Sequence, residues 1–232
     1  MTDSGNKILI VIPARGGSKT IPQKNIKPLA TKPLIYYSID IARKIAADEH
    51  ICVSTDDDRI IKTVEEYGLK VPFKRPAKLA TDESGTNEVL IHALAYYERM
   101  GIHYNQILLL QPTSPLRTLD QTKEAISLYN DEIDMVVSVK KSHSAVVLCE
   151  EDSQGFLILV LNKRATRRQD IKSYYEYNGA IYVINIKSLK EKGLSNFARK
   201  IKYIMPEENS IDIDTMFDWK MAEILIKEGS IK

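Results

Sequence analysis

An apolar run, Ile8-Leu-Ile-Val-Ile12, empties into Pro13-Ala-Arg-Gly-Gly-Ser-Lys-Thr-Ile-Pro-Gln-Lys-Asn25, a glycine-containing basic loop. From Ser4 to Ile39 there is no acidic residue, while Lys7, Arg15, Lys19, Lys24, Lys27 and Lys32 are all cationic. The whole chain is nearly balanced at +2, so this charge is a local concentration. It stands where a strand ends, the place at which open α/β sheets bind ligands, and it suits a polyanion. Gly16 and Gly17 let the backbone approach a ligand closely and aim N–H groups at it, with Ser18 beside them. Arg15 offers a planar fork, Lys19 and Lys24 point charges. The loop is neither common phosphate loop: Ser18 rather than Gly precedes Lys19-Thr20, and no third glycine completes a dinucleotide fingerprint.

A second chemistry-bearing segment is Ser210-Ile-Asp-Ile-Asp-Thr-Met216. In extended backbone alternate side chains share a face. Asp212 and Asp214 therefore point together, away from Ile211 and Ile213. Such a pair can seat Mg²⁺, which takes one or two carboxylates and completes its shell with phosphate oxygens and water. The same residues also suit a solvated edge or a helix N-cap at Asp214 or Thr215. In Leu108-Leu-Leu-Gln-Pro-Thr-Ser-Pro-Leu-Arg117, Gln111, Thr113 and Ser114 follow a buried strand and can hydrogen-bond a base, ribose or sugar; they can equally form a tight connection to a helix. Lys74-Arg75 and Asp82-Glu-Ser-Gly-Thr86 bring Arg75, Ser84 and Thr86 to the start of a helix, where N-capping by Thr86 is the competing role. Lys163-Arg-Ala-Thr-Arg-Arg-Gln-Asp170 carries an arginine pair able to hold a carboxylate, or a basic exposed loop.

The elements that must position these residues alternate in type. Ile8–Ile12 is rich in β-branched residues and reads as a strand buried on both faces. A helix opens near Pro33 and runs to about Ala47; His50–Ser54 is a second strand; Asp56–Tyr67 is a helix stopped by Gly68. Thr55-Asp-Asp-Asp58 either touches the site or caps this helix, and Asp56 is favoured as the cap. Val71–Phe73 is a short extended piece. Thr86–Met100 is a helix, and Ile107–Gln111 and Asp134–Val139 are further strands. This rhythm predicts an α/β fold with a doubly wound, mostly parallel sheet. It breaks after Lys140, where Ala145–Cys149 and Phe156–Leu161 read as a β-hairpin. The sheet pattern resumes at Gly179–Asn185, and a last helix covers about Phe217–Lys227, with Trp219 packing on it. Residues 140–178 thus form an arm inserted into a single domain spanning 1–232.

The chain has 44% hydrophobic and 28% charged residues, the composition of an ordinary soluble globule. No apolar run approaches a membrane span, and the first residues lack the features of a signal peptide. Cys52 and Cys149 lie in apolar runs and read as buried thiols of a cytoplasmic protein. His50, His92, His103 and His143 show no metal-ligand spacing. The near-zero net charge argues against general nucleic-acid binding.

In order along the chain, Ile12-Pro-Ala-Arg-Gly-Gly-Ser-Lys19 with Ile21-Pro-Gln-Lys-Asn25, Ser54-Thr-Asp-Asp57, Gln111-Pro-Thr-Ser-Pro-Leu-Arg117, Arg167-Arg-Gln-Asp170, Tyr177-Asn-Gly-Ala-Ile-Tyr182 and Asp212-Ile-Asp-Thr215 resemble the acylneuraminate cytidylyltransferases. The resemblance covers nearly the whole chain. It implies a sheet of the nucleotide-diphospho-sugar transferase type with a hairpin dimerisation arm. It also implies a reaction in which CTP and a nine-carbon 2-keto sugar acid, N-acetylneuraminate foremost, give a CMP-sugar and pyrophosphate. By the family pattern Arg15, Lys19 and Lys24 hold the triphosphate, and Asn25, Arg75, Ser84, Thr86 and Gln111 contact nucleotide or substrate. Arg168 acts near the sugar acid, Asp212 and Asp214 bind Mg²⁺, and the chain forms a homodimer whose arm reaches the partner's site. One departure is Thr20, where the family commonly has Gly; a requirement for positive φ there would strain threonine. Legionaminic, pseudaminic and deaminated sialic acids are the alternative acceptors. A nucleotide-binding homologue without catalysis is disfavoured by the intact Asp212/Asp214 pair and cations. A Rossmann dehydrogenase is disfavoured by the missing glycine fingerprint.

Overall fold

The structure is a computed structural model that describes residues 7–81, 83–142, 147–160 and 173–229. The chain order is β1 (Ile8–Pro13), a short antiparallel pair β2 (Pro28–Leu29) and β3 (Lys32–Pro33), α1 (Leu34–Arg43), β4 (Ile51–Ser54), α2 (Asp58–Glu66), α3 (Thr86–Arg99), β5 (Gln106–Leu109) and α4 (Leu119–Ser127), followed by β6 (Met135–Lys141). A hairpin of β7 (Cys149–Glu151) and β8 (Leu157–Leu159) comes next, then β9 (Tyr175–Asn185), α5 (Ile186–Lys192), β10 (Lys200–Ile204) and α6 (Met216–Lys227). The main sheet has the order β10-β6-β9-β5-β1-β4, and every strand in it except β9 runs in one direction. This is the doubly wound, mostly parallel, mixed sheet anticipated from the apolar runs.

Alternation along β1 explains why the sheet is covered on both faces. Ile10 and Ile12 pack with Ile35 and Ile39 of α1, Ile60 and Val64 of α2 and Ala125 of α4. Leu9 and Val11 pack on the other face with Leu90 and Leu94 of α3 and Leu189 of α5. Each fully buried aliphatic side chain contributes about 1.5–3 kcal/mol. A third cluster matters most for the site. Ile21, Leu29, Leu34, Leu116, Ile213 and Trp219 join the basic loop, the proline turn after β5 and the segment leading into α6.

Several elements depart from the sequence reading. α1 ends at Arg43 rather than near Ala47; the Arg43 guanidinium instead grips Asp48 with two bonds of 2.9 Å. Asp57 caps α2 by accepting from the Arg59 amide at 2.8 Å, which leaves Asp56 for another task. The pair β2–β3, α4, α5 and β10 are additional. α4 is announced by a capping box of Thr118 and Gln121. β9 begins earlier than expected, at Tyr175, so the arm leaves the sheet after Lys141. Its hairpin pairs Cys149–Glu151 with Leu157–Leu159, so the turn falls at 152–156 rather than at 150–155, and Cys149 on it is exposed, not buried. Cys52, in β4, is buried, which pushes its thiol pKa up. Among the described residues no helix is long and apolar enough to cross a membrane.

Asp134, at the foot of β6, is fully buried (0% exposed) and fixes α5 and β10 to the sheet. It accepts from Lys192 Nζ at 2.8 Å, Ser188 Oγ at 2.7 Å, and the Ala198 and Arg199 amides at 3.0 and 2.8 Å. The Lys192 bond, then the Arg199 amide, hold its carboxyl far below the usual range. A depressed carboxylate stabilises the fold above its unfolded pKa, and that contribution is lost as pH falls through the folded value. Asp134→Asn is expected to lower stability by about 3 kcal/mol at neutral pH. It is also expected to flatten the loss of stability below about pH 4. Denaturant melts across acid pH check both; an unchanged acid slope would contradict the assignment.

Candidate functional site

The basic loop leaves the C-terminal end of β1, which is flanked by β4 on one side and β5 on the other. The chain crosses from one flank to the other here, so a crevice opens beyond the strand ends. A cavity of about 440 Å³ lies there. Arg15, Ser18, Lys19, Lys24 and Asn25 line it from the loop, Arg75, Ser84 and Thr86 from the approach to α3, and Gln111, Thr113 and Asp214 from the opposite wall. Segments far apart in the chain thus supply one wall of cations and one of hydroxyl, amide and carboxylate groups.

Lys24 is the joint between the walls. Its ammonium donates to the Ile213 carbonyl at 2.6 Å and to Asp214 Oδ1 at 3.3 Å. The Lys24 side chain is only 11% exposed, whereas that of Asp214 is 75% exposed. The cation is therefore held from below while the carboxylate stays open to a ligand. Thr215 caps α6 in a box with Asp218, so the N-cap alternative falls to Thr215 and Asp214 is not used for it. Asn25 is buried and donates to the Arg15 carbonyl at 3.0 Å, bracing the loop. Arg15 Nη1 donates to the Thr81 carbonyl at 3.1 Å and ties the loop to the stretch before α3.

Gly16 and Gly17 are beside the cavity rather than on its lining. The Gly16 amide donates to Asp56 Oδ1 at 3.1 Å, and a Cβ on Gly16 would stand 2.5 Å from Asp57 Oδ2. Asp56 thus braces the basic loop and is not the helix cap expected for it; three successive aspartates after β4 left the choice open in the sequence. Arg75 is buried beneath the same carboxylate, Nη2 lying 4.0 Å from Asp56 Oδ1. Its Nε and Nη2 make no hydrogen bond. Burial pushes its pKa down, and Asp56 opposes that. Ser84 bonds Thr81 and the Lys78 carbonyl at 3.1 Å as well as lining the cavity. Gly85, not Thr86, is the cap residue of α3. Thr20 does not have positive φ; among described non-glycine residues that conformation belongs to Gln23 and Ala30, so threonine is accommodated without strain.

Asp212 lies deeper than Asp214. Burial raises its pKa, a hydrogen bond from Thr113 draws it back, and Asp214 raises it further. Its Oδ1 is buried and has no hydrogen-bond partner. An orphaned carboxylate oxygen next to an exposed carboxylate fits a hard divalent cation that shares its remaining positions with phosphate oxygens. Among the described residues no group of three or more acidic, histidine or cysteine side chains could hold a metal by itself.

A β-bulge makes room for Asp212 here. The register of β6 against β9 shifts between Val137 and Val139. Asn178 lies in β9 opposite the shift; its side chain accepts from Ser138 Oγ at 2.6 Å and donates to Ser210 Oγ at 2.9 Å. Ser114 is fully buried and donates to the Asn178 carbonyl at 3.2 Å, so it braces the floor and does not reach the cavity. Gly179 follows with φ +72°; a Cβ there would stand 2.9 Å from both Asp212 Oδ2 and Gln111 Oε1. Sequence reasoning missed Asn178 and Gly179 as site-building residues and favoured the helix cap for Asp56, although all three stand inside motifs that carry the family resemblance. Arg168 lies outside the described residues.

The chain matches a family model described as cytidylyltransferase over residues 9–222. It is 36% identical over 229 residues to a CMP-N,N'-diacetyllegionaminic acid synthase of Legionella pneumophila, covering 95% of this chain and 97% of that protein. It is 35% identical to an N-acylneuraminate cytidylyltransferase of Escherichia coli, covering 93% of this chain but only 51% of the relative, and 30% identical to a pseudaminic acid cytidylyltransferase of Campylobacter jejuni, covering 95% of this chain and 97% of the relative. Among solved structures, CMP:2-keto-3-deoxy-manno-octonic acid synthetase in complex with CTP superposes with a TM-score of 0.68 at 17% identity, over 96% of this chain and 99% of the other. A 4-diphosphocytidyl-2C-methyl-D-erythritol synthase of Anaerococcus prevotii gives 0.62 at 13%, over 97% and 100%. These two likenesses concern the fold.

Gly179→Ala tests the convergence of Gln111 and Asp212. Alanine at positive φ, with its methyl against two polar side chains, is expected to cost about 2 kcal/mol of stability. It is also expected to displace the Asp212 carboxylate in a crystal structure of the variant. Wild-type stability with an unmoved Asp212 would contradict the role given to this glycine.

Proposed function

The chain belongs to the cytidylyltransferase family, and from that premise we propose that it transfers the cytidylyl group of CTP to the anomeric oxygen of a nine-carbon 2-keto sugar acid. The oxygen–phosphorus bond forms at the α-phosphorus as the bond to the β-phosphate oxygen breaks. The CMP-sugar and pyrophosphate leave, and the proton of the anomeric hydroxyl passes to solvent. The observation that carries this reading is Lys24, which reaches Asp214 from the loop rich in cations.

Phosphoryl transfer leaves the protein little covalent work; positioning and charge stabilisation dominate. Negative charge accumulates on the departing pyrophosphate, and Arg15, Lys19 and Lys24 line the cavity on the side suited to receive it. Lys24 is already oriented by the Ile213 carbonyl, so little reorganisation accompanies the step. Arg75, with unused N–H donors under the cavity, and Ser84, Thr86 and Gln111 are assigned to the nucleoside and the acceptor. Asp212 and Asp214 would hold Mg²⁺, which when bound neutralises phosphate charge and favours displacement. Arg168 is assigned to the sugar acid's carboxylate.

N-acetylneuraminate is the acceptor the motifs favour. The match to the Legionella protein spans almost the full length of both chains, which supports N,N'-diacetyllegionaminate as a second reading. We further propose a homodimer joined through the arm. Its hairpin leaves Val147, Leu148, Phe156, Leu157 and Val160 exposed, a patch that a second copy would cover.

Incubation with CTP, Mg²⁺ and a panel of 2-keto sugar acids should release pyrophosphate with at least one acid; CTP binding without release for any of them would overturn the transferase reading. Lys24→Ala and Asp214→Ala should each lower kcat about a hundredfold or more while leaving the fold intact. Wild-type turnover by either variant would remove that residue from the mechanism. Sedimentation should show a dimer that Leu157→Glu dissociates; a monomeric wild-type chain would refute the assembly.

A further inference from the structure

Arg117 is a buried cation that the chemistry above does not use. It ends the turn that begins at Gln111, is 3% exposed, and does not line the cavity. Its Nη1 donates to Ser38 Oγ of α1 at 2.8 Å, its Nη2 donates to the Gln111 carbonyl, and its Nε has no partner. Burial pushes its pKa down to about 9, with Asp212 the opposing charge. A buried ion is expensive, and an apolar side chain of similar volume is often neutral or stabilising in its place. Stability alone therefore gives little reason for an arginine here.

The geometry gives another reason. The Gln111 carbonyl also accepts from the Ser114 amide at 3.3 Å, so the guanidinium grips the oxygen around which the turn folds. Two residues on from Gln111, the Thr113 carbonyl accepts from the Ile213 amide at 2.8 Å. The segment bearing Asp212 and Asp214 therefore hangs from this turn. We propose that Arg117 is a positioning residue that anchors the Gln111–Ser114 turn to α1, and through Thr113 sets where the Asp212–Asp214 segment stands relative to the cations of the loop. It touches neither nucleotide nor acceptor. The inference rests on the transferase reading above and adds to it a residue acting from beneath the floor.

Arg117→Lys keeps the charge but cannot span Ser38 and Gln111 as a planar fork does. In the full chain it is expected to fold and to lower kcat about 30-fold, a larger change than any rise in KM for CTP, because Arg15 and Lys19 do not hang from this turn. Hydrogen exchange at the Ile213 amide should quicken about tenfold. A folded Lys variant with wild-type kcat, or one whose KM for CTP rises in step with the fall in kcat, would overturn the proposal. Should Arg117→Lys not fold, Ser38→Ala removes one anchor and spares the charge; it should lower kcat about fivefold at constant KM. Unchanged kcat there would equally overturn it. Absence of pyrophosphate release by the wild-type protein would count against the transferase reading alone, because exchange at Ile213 reads the Arg117 anchor without turnover.

Discussion

One ammonium group holds the two ends of this chain together at the site. Lys24 belongs to the loop after the first strand; the carbonyl and carboxylate it bonds belong to the segment before the last helix. The bond to a nearly inaccessible carbonyl at 2.6 Å fixes where the charge points. Apolar packing supports the same junction: Ile21 from the loop, Leu116 from the proline turn, and Ile213 and Trp219 from the last segment share one cluster. Together the ammonium and this packing close the cleft. Without it the cations and the carboxylates would be separate surface features, each with an ordinary structural explanation.

The two aspartates of the last segment differ because of what surrounds them. Asp214 is open and balanced by Lys24; Asp212 is half-buried, with an oxygen that no protein donor satisfies. Such an imbalance is tolerated where a ligand restores it. The β-bulge at Ser138, the Asn178 side chain and the missing side chain at Gly179 make room for Asp212. The site is therefore built as much by the antiparallel strand β9 as by the parallel strand ends that border the cleft.

Much of this was legible in the sequence because strands buried on both faces are written as unbroken apolar runs. Ile8–Ile12 and Ile107–Leu110 could hardly be anything else, and the order of elements followed. Alternation in Asp212-Ile-Asp214 set Ile213 on the face opposite the carboxylates, and it is buried there, although the segment joins no described sheet. Other features depend on tertiary contacts that leave no local mark. Asp56 and Asp57 are equally good caps in the sequence; only the approach of Gly16 decides between them. β10 alternates apolar and polar residues over a short span, and its identity follows from pairing with β6. Cys149 sits in an apolar run that forms an exposed hairpin, so apolarity there did not mean burial.

The most direct test is a crystal structure of the protein with a non-hydrolysable CTP analogue and Mg²⁺. Phosphate oxygens are expected within hydrogen-bond reach of Arg15 and Lys24, with a cation shared between those phosphates and Asp214. A triphosphate bound elsewhere, with Lys24 still closed on Asp214 and no metal beside it, would contradict this arrangement.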